Sequence, residues 1–274
     1  MKIAIAFFGL PRCSEKAFPT IESNIFKQLP KDAEVKCFYH FYLQTEVVNP
    51  HSGENGPFDQ SNYDYFKKYE GIFEKPSEVL PTLPFEDVKK YGDAWNDNFN
   101  NVKNLFLQLN SLKKVTELVG SFDPDVVLFA RPDLVYHDPI FPEYYELCLR
   151  NPDAVFIPDW QWGIGLNDCF AVTGKDAYKV YGKRIDEVFN YCTDNGIRPL
   201  HSERLLKYAL LKHKKEILVM KVKASRVRMN GNLANENYNM RISFFSPLTN
   251  SQKRFFVLSL LKTKFKFMSI KKPS

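Results

Sequence analysis

Residues 1–42 carry the pattern that most narrows what this chain can fold into. Ile3-Ala4-Ile5-Ala6-Phe7-Phe8 is a short apolar run that ends at Gly9-Leu10-Pro11-Arg12. A run of this length without polar alternation reads as a strand buried on both faces. Phe18, Ile21, Ile25 and Leu29 follow at helical spacing, and Ser14 stands where that helix should start. Val35-Lys36-Cys37-Phe38-Tyr39-His40-Phe41 then reads as a second strand. Strand, helix, strand in this order opens a parallel α/β sheet, and a right-handed crossover brings both strand ends to one rim.

Later segments extend the same plan. Residues 99–119 read as a helix with Phe99, Val102, Leu105, Leu109, Leu112 and Val119 on its apolar stripe, stopped by Gly120. A second stripe, Asn101, Asn104, Gln108 and Ser111, is polar but uncharged. A merely solvated face usually carries Lys and Glu, so these amides are either an ordinary exposed face or a surface that bonds a base or a sugar. Residues 125–130 are the next buried strand, and Pro132 interrupts its ladder, which sets Asp133 at a strand end. Residues 154–157, 169–172 and 217–222 read as further strands. Residues 176–191 read as one helix, and Ser202-Glu203 open another. Residues 44–97 are rich in Pro and Gly; we expect short elements and no motif there, within a long insertion of the kind that shapes a binding site.

Composition and charge exclude several classes. With 274 residues, 44% of them hydrophobic, the chain is long enough for a full core and is not a disordered or disulfide-scaffold sequence. The five cysteines, Cys13, Cys37, Cys148, Cys169 and Cys192, are scattered and odd in number, which fits reduced thiols in the cytoplasm. Seven of the 38 Lys and Arg residues lie in 251–274, which holds no acid. The remaining 31 face 32 acids, so the +6 of the chain belongs to its end. That argues against a nucleic-acid-binding domain, whose basic face should lie on the folded body. We expect one main domain over 1–245 and a basic, aromatic tail over 246–274. The tail mixes Lys with Phe255, Phe256, Leu260, Leu261, Phe265, Phe267 and Met268, a composition suited to an anionic membrane surface, the plain alternative being a disordered or partner-packed terminus. No GxGxxG follows the first strand, and GxxxxGK[ST], HExxH and GxSxG are missing from the sequence.

What remains is an ordered set of strand ends: Gly9-Leu10-Pro11-Arg12, then Phe38-Tyr39-His40, then the amide-striped helix leading to Arg131-Pro132-Asp133-Leu134, then Asn167-Asp168-Cys169-Phe170 and Ser202-Glu203-Arg204. In these motifs, over roughly residues 1–230, the chain resembles bacterial surface-polysaccharide (capsule and lipopolysaccharide) glycosyltransferases of the GT-A fold. The resemblance implies a GT-A-like nucleotide-binding α/β/α sandwich. It also implies transfer of a sugar from a nucleotide-sugar donor to a glycan or lipid-linked glycan acceptor. The setting would be cytoplasmic, peripheral at the inner face of the membrane through the tail. The alternative is a non-catalytic module of the same fold that binds a nucleotide sugar or a glycan.

Roles follow from that reading. Gly9, Pro11, Arg12, His40, Asn104, Gln108, Arg131, Asp133 and Arg228 are donor-binding candidates, and Arg226 is a further candidate for diphosphate contact. Arg12, Arg226 and Arg228 have surface charge as their plain alternative, and His40 a structural role. The GT-A fold holds Mn²⁺ or Mg²⁺ with an Asp-x-Asp pair. Here that position reads Arg131-Pro132-Asp133, so Asp133 alone is the metal candidate and Arg131 could supply part of the charge instead. Asp168 and Glu203 are the candidates for the base that takes the acceptor's proton. Trp160 and Trp162, flanking the Gly163-Ile164-Gly165 turn, are the acceptor-binding candidates.

Overall fold

The structure, a computed structural model, describes residues 1–49, 53–162, 165–194, 196–238 and 250–270. In chain order its elements are β1 (Lys2–Gly9), α1 (Ser14–Asn24), β2 (Glu34–Tyr42), β3 (Glu46–Asn49), β4 (Glu54–Pro57), β5 (Glu70–Glu74), α2 (Pro76–Val79), α3 (Phe85–Val88), α4 (Asn100–Gly120) and β6 (Val126–Ala130). There follow β7 (Leu134–Tyr136), α5 (Pro142–Arg150), β8 (Ala154–Pro158), β9 (Ala171–Gly174), α6 (Tyr178–Gly182), α7 (Val188–Thr193), α8 (Ser202–Lys212), β10 (Glu216–Met220), β11 (Ala224–Arg226) and α9 (Asn250–Ile270).

A seven-stranded sheet in the order β10-β8-β9-β6-β1-β2-β5 forms the middle layer. β1 is parallel to both neighbours, with Ile5 opposite Cys37 on β2 and Leu128 on β6; β9 runs antiparallel between β6 and β8. Side chains of β1 alternate between two cores, as the pleat requires. Ile3, Ile5 and Phe7 pack with Phe18, Ile21 and Ile25 around α1. Ala4, Ala6 and Phe8 pack with Leu112, Val115 and Val119 of α4. The small Ala4 and Ala6 leave room for the longest helix of the body to lie against the central strand. This is the α/β/α sandwich expected from the sequence.

The chain leaves β1 for β2 and β5 on one side and returns to β6 on the other. The crevice beyond the carboxyl ends of β1 and β6 is therefore the place where strand order reverses, the preferred ligand position in open α/β sheets.

One expectation is filled in and two change. Residues 44–97 include a sheet strand, β5, hidden because it is an edge strand with glutamates at both ends. Its Gly71 is required, since a Cβ there would meet the Tyr39 ring at 2.4 Å. Residues 176–191 are not one helix: α6 ends at Gly182, a short 3-10 turn follows, and α7 begins at Val188. Gly182 sits against Thr116 of α4, where a Cβ would lie 1.9 Å from the Thr116 hydroxyl. The strand expected at 169–172 begins at Ala171.

Within the region expected as a tail, α9 lies along edge strand β10. The Val219 N–H donates to Thr263 Oγ1 at 3.0 Å, Lys266 pairs with Glu216 at 2.8 Å, and Phe267 packs on Tyr144. A helix in this position covers a sheet edge that would otherwise offer unpaired N–H groups. Residues 246–249 and 271–274 of that region lie outside the described residues. No helix among the described residues is long and apolar enough to cross a membrane.

Candidate active site

The turn after β1 builds one wall of the site. Gly9 sits at φ +98°, a conformation that L side chains rarely adopt, and ends the strand. Its N–H donates to Ser111 Oγ at 3.0 Å, and the Ser111 hydroxyl donates to the His40 carbonyl at 2.7 Å. One serine of α4 thus ties together the ends of β1 and β2. Above this junction is a cavity of about 560 Å³ lined by residues from both ends of the chain. A second hollow of about 470 Å³ lies at the opposite rim, around Met1 and residues 27–33, away from the paired strand ends.

Four arginines and three carboxylates make the cavity's charged side. Asp133, fully buried, accepts from Arg131 Nε and Nη2, both at 2.9 Å, and from Arg12 Nε and Nη2 at 3.1 and 2.5 Å. Arg12 reaches on to Glu54 with Nη1 at 2.7 Å, and Arg228 Nη1 donates to the same oxygen at 3.1 Å. Arg226 grips Glu236 with Nε and Nη2 at 2.7 and 3.0 Å. Burial works against the Asp133 carboxylate, but Arg131 and Arg12 outweigh it and hold its pKa well below the ordinary range. Burial likewise disfavours the charge on Arg131, and Asp133 more than restores it.

Asp168 and Glu203 stand on the cavity wall as a carboxyl pair. Asn167 positions the first. Its amide donates to the Trp160 carbonyl at 3.0 Å and its oxygen accepts the Cys169 N–H at 3.0 Å. Buried Arg184 lies 3.7 Å from Asp168 Oδ2. Glu203 is at the start of α8, where the Leu166 N–H donates to its carbonyl at 3.1 Å. Burial first, and then the negative charge of Asp168, push the Glu203 carboxyl up to about 8. Burial and Asp168 also push the neighbouring Cys169 thiol up to about 12, so it is a neutral group in the wall.

The amide stripe of α4 forms a third wall. Asn101, Asn104 and Gln108 line the cavity, and the side chains of Asn104 and Gln108 have no hydrogen-bond partner among the described residues. Trp95 lines it too, stacked on His201 with ring centroids 5.1 Å apart and planes at 17°.

Not every candidate arrives here. Gly9, Arg12, Asn104, Gln108, Arg131, Asp133, Asp168, Glu203, Arg226 and Arg228 line one cavity. His40 does not. It is buried in β2 with Nε2 2.9 Å from Glu74 Oε2, and burial pushes its pKa down. Pro11 is buried and is not part of the lining. Trp160 and Trp162 are core residues: their indole N–H groups donate to the Val222 and Pro158 carbonyls at 2.8 and 2.6 Å, and neither ring reaches the cavity. An acceptor-facing role for these two tryptophans is corrected accordingly; burying an indole needs a partner for its N–H, and the backbone supplies it. Gly163 and Ile164 of the adjoining turn lie outside the described residues.

Sequence reasoning missed Glu54, Glu236 and Trp95. Glu54 comes from the insertion and Glu236 from beyond the last strand, and nothing in their neighbourhoods marks them as arginine partners. The aromatic and amide residues around Trp95 were visible only as a loop.

The donor set does not fit a divalent cation at Asp133. The carboxylate is buried; its Oδ2 accepts three guanidinium N–H groups and its Oδ1 a fourth. An ion there would also sit against two guanidinium charges. Among the described residues no group of three or more His, Cys, Asp or Glu is placed to hold a metal. The metal role expected for Asp133 is corrected on this chemistry: its partners are arginines.

No family model matches the chain, and no curated protein matches it. Among solved structures, the chain is similar to sugar transferases. One is mouse xyloside xylosyltransferase 1 in its apo form, 12% identical, with a TM-score of 0.42 over 80% of this chain and 85% of that one. Another is the galactosyltransferase LgtC in complex with donor and acceptor sugar analogues, 11% identical, with a TM-score of 0.40 over 80% of this chain and 73% of that one.

Proposed function

We propose that this protein is a glycosyltransferase that takes a sugar from a nucleotide-sugar donor and attaches it to a surface glycan, in capsule, lipopolysaccharide or a similar polymer. The observation that carries the reading is one cavity at the sheet's switch point in which an arginine cluster, an uncharged amide stripe and a carboxyl pair face one another. Each wall answers one part of the substrate. Guanidinium groups suit a diphosphate. Amides with unused donors and acceptors suit a base, a ribose or a sugar, and Trp95 offers a flat apolar face. In the transfer, an acceptor hydroxyl oxygen bonds to the anomeric carbon as the bond from that carbon to the donor diphosphate breaks. The bonding pair leaves with the phosphate oxygen, and the hydroxyl proton passes to a carboxylate. Glu203 keeps its proton near neutral pH, so Asp168 is the base we assign, with Arg184 beneath it as a positioning residue.

Incubating the purified protein with a panel of nucleotide sugars tests this, following thermal stabilisation and donor consumption. A ligand that binds only the folded state at a hundred times its Kd adds about 2.7 kcal/mol of stability. Stabilisation together with consumption that Asp168→Asn abolishes supports the transferase. Stabilisation without consumption supports the non-catalytic binding module, and no response to any nucleotide refutes both.

We further propose that α9 brings the enzyme to an anionic membrane surface. Leu260, Ser259, Thr263 and Phe267 face the body, whereas Val257, Leu258, Leu261, Phe265 and Met268 form an apolar stripe exposed to solvent. With about 100° between successive residues, exposed Lys262 and Lys264 flank this stripe on its two sides. An apolar strip bordered by cations is the form of a helix lying in the headgroup region. The side chains of Lys253, Arg254, Phe255 and Phe256 lie outside those described. Sedimentation with vesicles containing phosphatidylserine should carry down the wild type and leave a Leu258→Glu/Phe265→Glu variant in solution. Equal sedimentation of the two would remove the stripe from the account.

A further inference from the structure

Resting on the donor-site reading above, we propose that the arginine cluster is a metal-independent diphosphate site, and that Arg131, Arg226 and Arg228 take the electrostatic role that a divalent cation plays in sites built on paired carboxylates. The claim comes from how the cluster is wired. Each of these three arginines lines the cavity and gives only part of its guanidinium to a buried carboxylate. Arg131 and Arg226 each present Nε and Nη2 to their partner, in the two-pronged geometry that fixes a planar group in one orientation. Their Nη1 atoms, and the Nε and Nη2 of Arg228, have no partner among the described residues. These are the donors that remain for phosphate oxygens.

The carboxylates act as anchors. Asp133, Glu54 and Glu236 are all buried, and each is bonded to at least one guanidinium. Arg12 bonds Asp133 and Glu54 through all three of its nitrogens, with three of its five N–H groups, so it ties two anchors together. Four arginines against three anchors leave one surplus positive charge, fixed before any ligand arrives. A diphosphate entering this site meets oriented donors and pays little for their ordering. A cation entering the same place meets carboxylates already bonded to guanidiniums, and four repelling charges.

Isothermal titration with inorganic pyrophosphate, and with UDP, GDP, ADP and dTDP, would test the site in EDTA and again in excess Mn²⁺. Pyrophosphate and at least one nucleoside diphosphate should bind in EDTA with a Kd within about threefold of the value in Mn²⁺. Arg228→Gln and Arg226→Gln should each weaken binding tenfold or more; Arg228→Gln leaves Glu54 bonded to Arg12 and to the Met229 N–H, so the fold should survive, as circular dichroism would verify. Binding that appears only with Mn²⁺ would overturn the metal-free site and leave the donor reading standing. Binding in EDTA that neither variant weakens would remove the arginines as the site. No binding under either condition would end both proposals.

Discussion

Arg131 and Asp133 are joined by two parallel bonds, Nε to Oδ1 and Nη2 to Oδ2, each 2.9 Å long, across the single residue Pro132. The two residues lie in the short turn between β6 and β7, so the pair is local to its own segment. Pro132 ends the β6 ladder at Ala130 and frees the next three residues to turn toward the cavity. Arg12, at the end of the neighbouring strand, then closes on the same carboxylate. A local motif and a long-range contact share one anchor, which makes Asp133 the residue on which the cavity's geometry depends.

Asp133→Asn keeps the shape of the side chain and removes its charge, leaving two guanidiniums facing a neutral amide in a buried place. Breaking a buried pair in this way costs about 3–5 kcal/mol. We expect a urea midpoint lowered accordingly, and a parent-like midpoint would show that Asp133 is not an anchor. Because Asp133 has its pKa held low, its contribution is present at neutral pH and is lost only in strong acid, as the pH falls through the folded value.

Glu203 titrates in the opposite sense. Its carboxyl is raised from an ordinary value of 4.5 to about 8, so the folded state holds this proton more tightly than the unfolded chain does. The associated stability is full below the unfolded value and is lost as the pH rises through about 8. Glu203→Gln should therefore melt at a higher temperature than the wild type at pH 9 and at a similar one at pH 4. Ionised Glu203 also adds a negative charge beside Asp168, so nucleotide affinity should fall above about pH 8 in the wild type and stay level in the variant. Parallel pH profiles for the two proteins would contradict this.

The tryptophans separate a cavity wall from a core. Trp160→Ala empties a fully buried position and should cost about 3–5 kcal/mol. Trp95→Ala, in the cavity wall and half-exposed, should leave the melting temperature within a few degrees and weaken donor or acceptor binding at least tenfold. Ligand-induced quenching of tryptophan fluorescence should vanish in Trp95→Ala; quenching that persists would move the contact elsewhere.

How far the sequence carried depended on the range of each interaction. Apolar runs and helical stripes are local, and they located β1, β2, α4, β6 and α8 and placed Gly9, Arg12 and Asp133 at one rim. The amide stripe of α4 was legible because the absence of Lys and Glu from a helix face is itself unusual. His40 misled because a strand-end histidine looks alike whether its ring points to a ligand or to Glu74, and the pairing with β5 that decides it is non-local. Trp160 misled for the same reason, because its Val222 carbonyl partner is distant in sequence, whereas Trp162 bonds the Pro158 carbonyl at the end of β8 and composition does not say which way its ring turns. Glu54 stands 42 positions from Arg12 and Glu236 ten from Arg226, and neither separation carries a local signal.

Gly165 gives the last prediction, since it is the one described glycine of the turn that touches the carboxyl pair's support. A Cβ at this position would lie 2.3 Å from the Glu203 backbone carbonyl and 2.6 Å from the Arg204 nitrogen. Backbone atoms at the start of a helix do not yield as a flexible side chain does, so Gly165→Ala must displace either the turn or the first residues of α8. Overpacking of this kind costs about 1–3 kcal/mol. The displacement acts on Glu203 directly, so the pH limb near 8 should move in Gly165→Ala even where the protein remains folded. Gly182→Ala, which crowds Thr116 away from the cavity, supplies the control: it should lower stability and leave that limb in place. If the two variants lose stability alike and neither shifts the limb, the close packing of Gly165 on Glu203 has no part in setting the carboxyl pair.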